Sequence, residues 1–320
     1  MDKIKKKLFF NMLRIRNIEQ AISDNYKFQK MRCPVHLSVG QEAPAVGIMQ
    51  NLKKEDKIVT AHRSHAHYLA KGGNLNSMIA ELHGKSSGCA KGKGGSMHLI
   101  DLKAGVSAAV PIVGSTIPIG VGLSWNIKLK KKKNVVVIFF GDGATEEGVF
   151  QESLDFASLH SLPVLFVCEN NHFSVYSPLS NRQAKKRDII KIAKAVGISG
   201  TKIHGNDVLN IYKKSKKIIS DIKQDPKPHV LLLDTFRHLE HCGPNNDNHL
   251  NYRSDDYIKK WLDNCPIKTF KKKLLKNKVL NISELKNYEN KISNEIKLAF
   301  KYARNSKFPK KKFLLKNIYA

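Results

Sequence analysis

Long apolar runs are missing from this 320-residue sequence. The longest uninterrupted one, residues 135–140, is strand-length, far from the roughly 20 residues that cross a bilayer, so no membrane is expected among its partners. Cysteine is sparse: Cys33, Cys89, Cys168, Cys242 and Cys265 are scattered with no CxxC pair. Five unpaired positions give neither a zinc site nor a disulfide framework and suit a reducing compartment. The N-terminus MDKIKKKLFFNMLRIRN is basic, but charges run through it and no small-residue cleavage site follows. A signal peptide is therefore not expected, and the chain reads as cytoplasmic. With 11 Pro, 20 Gly and 41% apolar residues, a disordered or collagen-like chain is excluded as well.

Acidic residues are also short in supply, 27 against 56 basic ones, for a net charge of +29. Arginine, the residue that clamps phosphate bidentately and reads bases, accounts for only 9 of the basic residues. The Lys clusters (128–133, 213–217, 271–278, 310–312) fall at element ends or on polar helix faces. They read as solvated surface, and no specific nucleic-acid partner is expected.

What is present is an α/β pattern. Leu8, Met12, Ile15, Ile18 and Ile22 recur at helical spacing in the first 30 residues. Residues 35–122 are rich in Gly, His and Ser with little periodicity, which predicts long functional loops. NVVVIFF (134–140) is a buried-strand run, ATEEGVFQESLDFASLH (144–160) a helix, and LPVLFVCEN (162–170) a second strand. Together they make one βαβ unit of a parallel sheet. A weaker repeat follows, with helices near 189–196 and 211–222, then the strand HVLLLDTF. After Arg237 comes a polar loop and then Lys-rich helices. The expected organisation is one α/β unit over 1–320: an N-terminal helix within 1–34, a core over 35–236, and a loop with C-terminal helices over 237–320.

Parallel sheets bind ligands outside the carboxyl ends of their strands. The first strand run ends in Gly141-Asp142-Gly143 and the second in Glu169-Asn170-Asn171. Right-handed crossover puts those ends side by side, so Asp142 and Asn171 converge. A carboxylate and a carboxamide oxygen are hard ligands that suit Mg²⁺ and leave positions for phosphate oxygens. Gly143 lets a diphosphate approach the backbone where a helix begins. Either fragment alone is an ordinary turn; a βαβ unit filling the gap between them makes the pair informative.

These residues, with HLSVGQEA (36–43), TAHRSHAHYLAKGG (60–73), GCAKGKGGSMHL (88–99) and IVGSTIPIGVG (112–122), resemble the alpha subunit of the decarboxylating first component of 2-oxo acid dehydrogenase complexes. Pyruvate, branched-chain and acetoin members share this plan, and the similarity runs from about residue 8 to the ending FPKKKFLLKNIYA. The resemblance implies a thiamine-diphosphate fold, a parallel sheet with helices on both faces. It implies oxidative decarboxylation of a 2-oxo acid, pyruvate first, with acetyl transfer to a lipoyl group. Acetoin or another ketone is the alternative within the same chemistry, and a basic nucleic-acid-binding protein the remote one.

Position by position, the resemblance assigns Asp142, Asn171 and the Phe173 carbonyl to Mg²⁺. It assigns His62, Arg63, Gly143, Ala144 and His241 to the diphosphate, Pro111 and Val113 to the aminopyrimidine, and His36, with His241, to the substrate end. His62, His65 and His67 lack a carboxylate or Cys at ligand spacing, so a zinc site on that stretch is not expected. The carboxylate that activates the cofactor belongs, in this family, to a separate beta subunit. Glu146 and Glu147 sit too near the Mg²⁺ end to replace it. The resemblance thus implies an α₂β₂ heterotetramer serving a lipoyl-bearing acyltransferase. The sequence departs from the pattern at His62, where Tyr is common, at Pro111, where Gly is common, and at Cys242, where animal members carry a regulatory phosphoserine. Phosphorylation at that last position is excluded.

Overall fold

The structure, a computed structural model, describes residues 1–313, 315 and 316. The last residues of the similar C-terminal stretch, 317–320, lie outside the described residues. Helix α1 (Asp2–Tyr26) opens the chain, followed by α2 (Glu42–Met49), strand β1 (Lys57–Thr60), α3 (His65–Lys71), α4 (Leu75–Leu82), β2 (Val106–Ala109) and α5 (Thr116–Leu129). Next come β3 (Val136–Gly141), α6 (Gly148–Leu159), β4 (Val164–Asn170) and a small hairpin, β5 (Phe173–Ser174) and β6 (Ser177–Pro178). The chain continues through α7 (Leu179–Arg182), α8 (Ile189–Ala195), β7 (Ser199–His204), α9 (Val208–Gln224) and β8 (His229–Asp234). Helices α10 (Asp255–Asp263), α11 (Pro266–Lys276) and α12 (Ile282–Asn305) follow.

Six strands form one parallel sheet in the order β2-β1-β3-β4-β8-β7. A parallel sheet covered on both faces buries every side chain, which is why β3 and β4 read as unbroken apolar runs. Val137, Phe139, Leu165 and Val167 point into a core shared with α1, α2, α4, α9 and α12. Their neighbours Ile138, Phe140, Phe166 and Cys168 point into a second core under α5, α6 and α8. Helix α5 lies so close to β3 that a Cβ at Gly120 would stand 2.3 Å from Ile138. The apolar spacing predicted for the first helix is buried in α1, at Leu8, Met12, Ile15, Ile18 and Ile22.

Three sequence expectations are corrected. Residues 35–122 are not long irregular loops: they hold α2 to α5, β1 and β2. Helix α2 is buried on every side and α5 is apolar with two glycines and a proline, so neither carries the one-sided period of a surface helix. The helix expected from residue 144 starts later. Asp142–Glu146 form a 3₁₀ turn, Glu147 is extended, and α6 begins at Gly148. Strand β7 went unread because it is a half-exposed edge strand, SGTKIH, without apolar alternation.

Candidate active site

The pairing of β3 with β4 sets Gly141 opposite Glu169, so Asp142 and Asn171 leave neighbouring strands at one rim of the sheet. Beyond β4 the backbone is tied down at once. The Thr235 N–H donates to the Asn170 carbonyl at 2.8 Å, and the Asn170 side-chain amide donates to Asp234 at 3.0 Å. Left-handed backbone at His172 and Val175 then folds β5 and β6 back over the strand ends. The Asn171 side-chain oxygen accepts the Phe173 N–H at 3.0 Å. Asp142 is 1% exposed, and its carboxylate meets the Arg182 guanidinium at 2.5 Å.

A cavity of about 220 Å³ opens at this rim. All the residues singled out from the sequence line it: His36, His62, Arg63, Pro111, Val113, Asp142, Gly143, Ala144, Asn171, Phe173 and His241. Opposite the Asp142 side, three imidazoles form a triangle. His36 and His62 have ring centres 4.7 Å apart, His36 and His241 5.2 Å, His62 and His241 5.1 Å. Burial, followed by the Arg63 guanidinium, pushes His36 down to about 2, His62 to about 3 and His241 to about 4, so all three are neutral at pH 7. Arg63 itself is lowered to about 9 by burial and donates to the Leu37 carbonyl at 2.6 Å and the His241 carbonyl at 3.0 Å. That brace locks the His36 and His241 segments together.

The donor chemistry fits the groups expected from the sequence. Asp142 is a buried carboxylate, paired here with Arg182, and the Asn171 carboxamide lies just past the adjacent strand end, an oxygen pair suited to Mg²⁺. His36, His62, Arg63 and His241 add neutral and cationic nitrogen groups to the same cavity, where an anion gains most. Glu146 and Glu147 do not line the cavity; Glu146 pairs with Arg182.

Several cavity or supporting residues escaped the sequence reading. Glu169 lines the cavity at the end of β4, with the His67 ring 3.2 Å away. Gln41, Met97 and Val175 line it too. His65 does not: it is fully buried between Glu19 (2.8 Å) and Ser96 (2.7 Å), and the Ser96 hydroxyl accepts the His36 N–H at 3.2 Å. The histidine-rich stretch 62–67 thus disperses: His65 turns to Glu19 and Ser96, His67 to Glu169, and His62 to the cavity beside His36 and His241. Glu81 accepts four backbone N–H groups, from Ala90, Gly92, Gly94 and Gly95, at 2.8–3.1 Å. No local signal marked Glu81 or Glu169, because both act across long sequence separations.

The profile of the dehydrogenase E1 component family matches residues 10–312. The chain belongs to that family. The chain is similar to several alpha subunits. It is 34% identical over 312 residues to the alpha subunit of acetoin:2,6-dichlorophenolindophenol oxidoreductase of Bacillus subtilis, covering 98% of this chain and 92% of that one. It is 32% identical over 313 residues to the pyruvate dehydrogenase E1 alpha subunit of Rickettsia bellii, covering 98% and 95%. It is 35% identical over 312 residues to a mitochondrial pyruvate dehydrogenase E1 alpha-1 subunit of Oryza sativa, covering 97% and 78%. The E1 alpha reading of the sequence stands, and with it an oxidoreductase subunit. No helix of the described residues is long and apolar enough to cross a membrane.

Proposed function

We propose that this E1 alpha chain works with thiamine diphosphate and Mg²⁺ in the oxidative decarboxylation of a 2-oxo acid, pyruvate first, passing the acetyl group to a lipoyl-bearing acyltransferase. One observation carries the proposal: Asp142 and Asn171 share a rim with Gly143 and Ala144 and face His62, Arg63 and His241 across one cavity. When bound, the cofactor supplies the electron sink for carbon–carbon cleavage, and the protein orients it.

Asp142, Asn171 and the Phe173 carbonyl hold the Mg²⁺. Gly143 and Ala144 present backbone N–H groups at the start of the 3₁₀ turn, and Arg63, His62 and His241 take the remaining diphosphate oxygens. Pro111 and Val113 meet the aminopyrimidine. His36 and His241 face the substrate and, as neutral imidazoles, donate one hydrogen bond each without releasing a proton.

No carboxylate of this chain takes the activating role, since Glu169 is engaged by His67 and Glu146 by Arg182. That role falls to a beta subunit in an α₂β₂ heterotetramer. The outer face of α5 supports such a partner: Ile119, Trp125 and Leu129 are exposed there, with Ile112 and Val113 beside the cavity mouth. The assembly is cytoplasmic.

The test is a calorimetric titration of thiamine diphosphate with Mg²⁺ into the chain assembled with its beta-type partner. One site per alpha chain, absent in Asp142→Ala, is the expected outcome; unchanged binding in that variant contradicts the ligand assignment. Acetoin is the second reading. It is favoured by the similarity to the acetoin-oxidising alpha subunit of Bacillus subtilis. The loop over 241–253, held by Asp247 accepting from Arg253 and from the Tyr252 hydroxyl at 2.6 Å each, is the stretch in which the two substrates would be told apart.

A further inference from the structure

We propose that His36, His62 and His241 form a binding site for a borderline transition-metal ion, Zn²⁺ above all, which competes with the diphosphate end of the cofactor. One ring nitrogen from each residue lies within 4.8 Å of the other two. Closing that triangle onto a shared ion needs only side-chain movement of the order of an ångström, given Zn–N bonds of about 2.0–2.1 Å.

Four features of the site support the ion. His36 is 6% exposed, and its Nδ1 is buried with no hydrogen-bond partner among the described residues, a nitrogen free to ligate. The rings stand as neutral imidazoles, the form that ligates. Three His nitrogens with an open fourth position are a recurring zinc arrangement, whereas Mg²⁺ and Ca²⁺ demand oxygens that this corner lacks. Imidazole sites also suit Cu²⁺ and Ni²⁺. The outer contacts are unusually firm. They act on the backbone: Ser96, bonded to His65 which Glu19 holds in turn, accepts the backbone N–H of His36, and Arg63 donates to the backbone carbonyl of His241.

Arg63, whose charge reaches all three rings, and Arg237, which acts on His62 and His241, oppose a bare dication. They favour an ion that carries an anion, hydroxide or chloride, in its fourth position. His62 supplies the third nitrogen, without which His36 and His241 alone would leave only two ligands. Metal binding stands on the three rings alone; competition with the cofactor rests on the reading of His62 and His241 given under Proposed function.

The test uses the full chain, free of any histidine tag, titrated with Co²⁺ as a spectroscopic stand-in and then with Zn²⁺. The expected result is one Co²⁺ per chain with visible d–d absorption, displaced by Zn²⁺. Affinity falls about ten-fold or more in His62→Tyr and in His36→Asn, since losing a ligand costs at least as much as losing an outer contact. His98→Ala, at an exposed histidine elsewhere, leaves it unchanged. Circular dichroism verifies the fold of each variant, and the second variant covers a failure of the first. Absence of a d–d spectrum, or an undiminished one in both variants, overturns the proposal. A separate arm adds thiamine diphosphate with Mg²⁺ in the presence of the beta-type partner. A rise in the Co²⁺ needed for half-saturation supports the competition. Co²⁺ binding with no such rise, where calorimetry shows the cofactor bound, overturns the competition. If calorimetry shows no cofactor binding, the reading of the diphosphate site fails, and the metal site is judged on its spectrum.

Discussion

The Arg182 guanidinium sits 2.5 Å from the carboxylate of Asp142, in the position where a cation would meet the most buried acid of the cavity rim. Its other arm holds Glu146, and the neighbouring Arg187 donates to Thr145 of the same 3₁₀ turn at 3.0 Å. Arg182 therefore neutralises a buried charge that would otherwise stand alone. Removing it in Arg182→Gln should cost about 3 kcal/mol of stability in the ligand-free chain. Mg²⁺ with thiamine diphosphate should recover more of the Tm in this variant than in the wild type. Differential scanning fluorimetry of both proteins, with and without the pair, measures this; equal gains would show that Asp142 does not meet the metal.

Glu81 carries the second prediction. Its two oxygens accept the four N–H groups that fold the glycine-rich loop 90–95 against α4. In Glu81→Gln an amide would face those donors with its own hydrogens, at a cost of about 3 kcal/mol. The loop should open first, so limited trypsin digestion should cut after Lys91 many times faster than in the wild type. An unchanged digestion pattern would show that the loop holds without Glu81.

This loop also marks how far the sequence could be read. The apolar runs of β3 and β4 named their own strands, and GDG with NN named the rim, because each signal is local and the βαβ crossover admits one arrangement. The glycines at 92, 94 and 95 were visible, yet the acid that organises them, Glu81, lies at least 11 positions upstream. Glu169 was hidden inside a strand-end motif, and its partner His67 inside a histidine cluster that looked uniform. Helix α2 escaped because burial on all sides erases the period that marks a surface helix, and α5 because its exposed face carries apolar Ile119, Trp125 and Leu129 where a surface helix would show polar residues. The His36–His62–His241 triangle joins three loops far apart in the chain and could be seen only in three dimensions.

Acid stability follows from His238. Its ring packs beside Phe236, and no Cβ could stand at Gly40 without striking it. Burial, with Arg16 and Arg253 adding and Glu42 opposing, lowers its pKa from 6.5 to about 4. Between these values the unfolded chain binds more protons than the folded one, so stability is complete above pH 6.5 and is lost as the pH falls toward 4. Tm measured across that window should fall less steeply in His238→Gln, whose side chain cannot take up the proton. Parallel slopes would remove His238 from the account.

The exposed face of α5 gives a test of assembly. A Cβ at Gly122 would meet no atom within 4 Å, so a larger side chain there leaves the fold untouched. Gly122→Leu should keep or slightly raise the Tm, by the roughly 1 kcal/mol that glycine costs inside a helix. It should also block co-elution with a beta-type partner in gel filtration. Normal co-elution would move the interface away from this face.

The central claim, an E1 alpha chain turning over a 2-oxo acid through Asp142, is tested most directly by dye reduction. The chain purified with its native partners is assayed with thiamine diphosphate and Mg²⁺ against pyruvate, branched-chain 2-oxo acids, 2-oxoglutarate and acetoin separately. The account predicts pyruvate-dependent reduction that disappears in Asp142→Ala, and none from the isolated chain. Full activity in Asp142→Ala, or silence toward every substrate from a preparation that contains the beta-type partner, would contradict it.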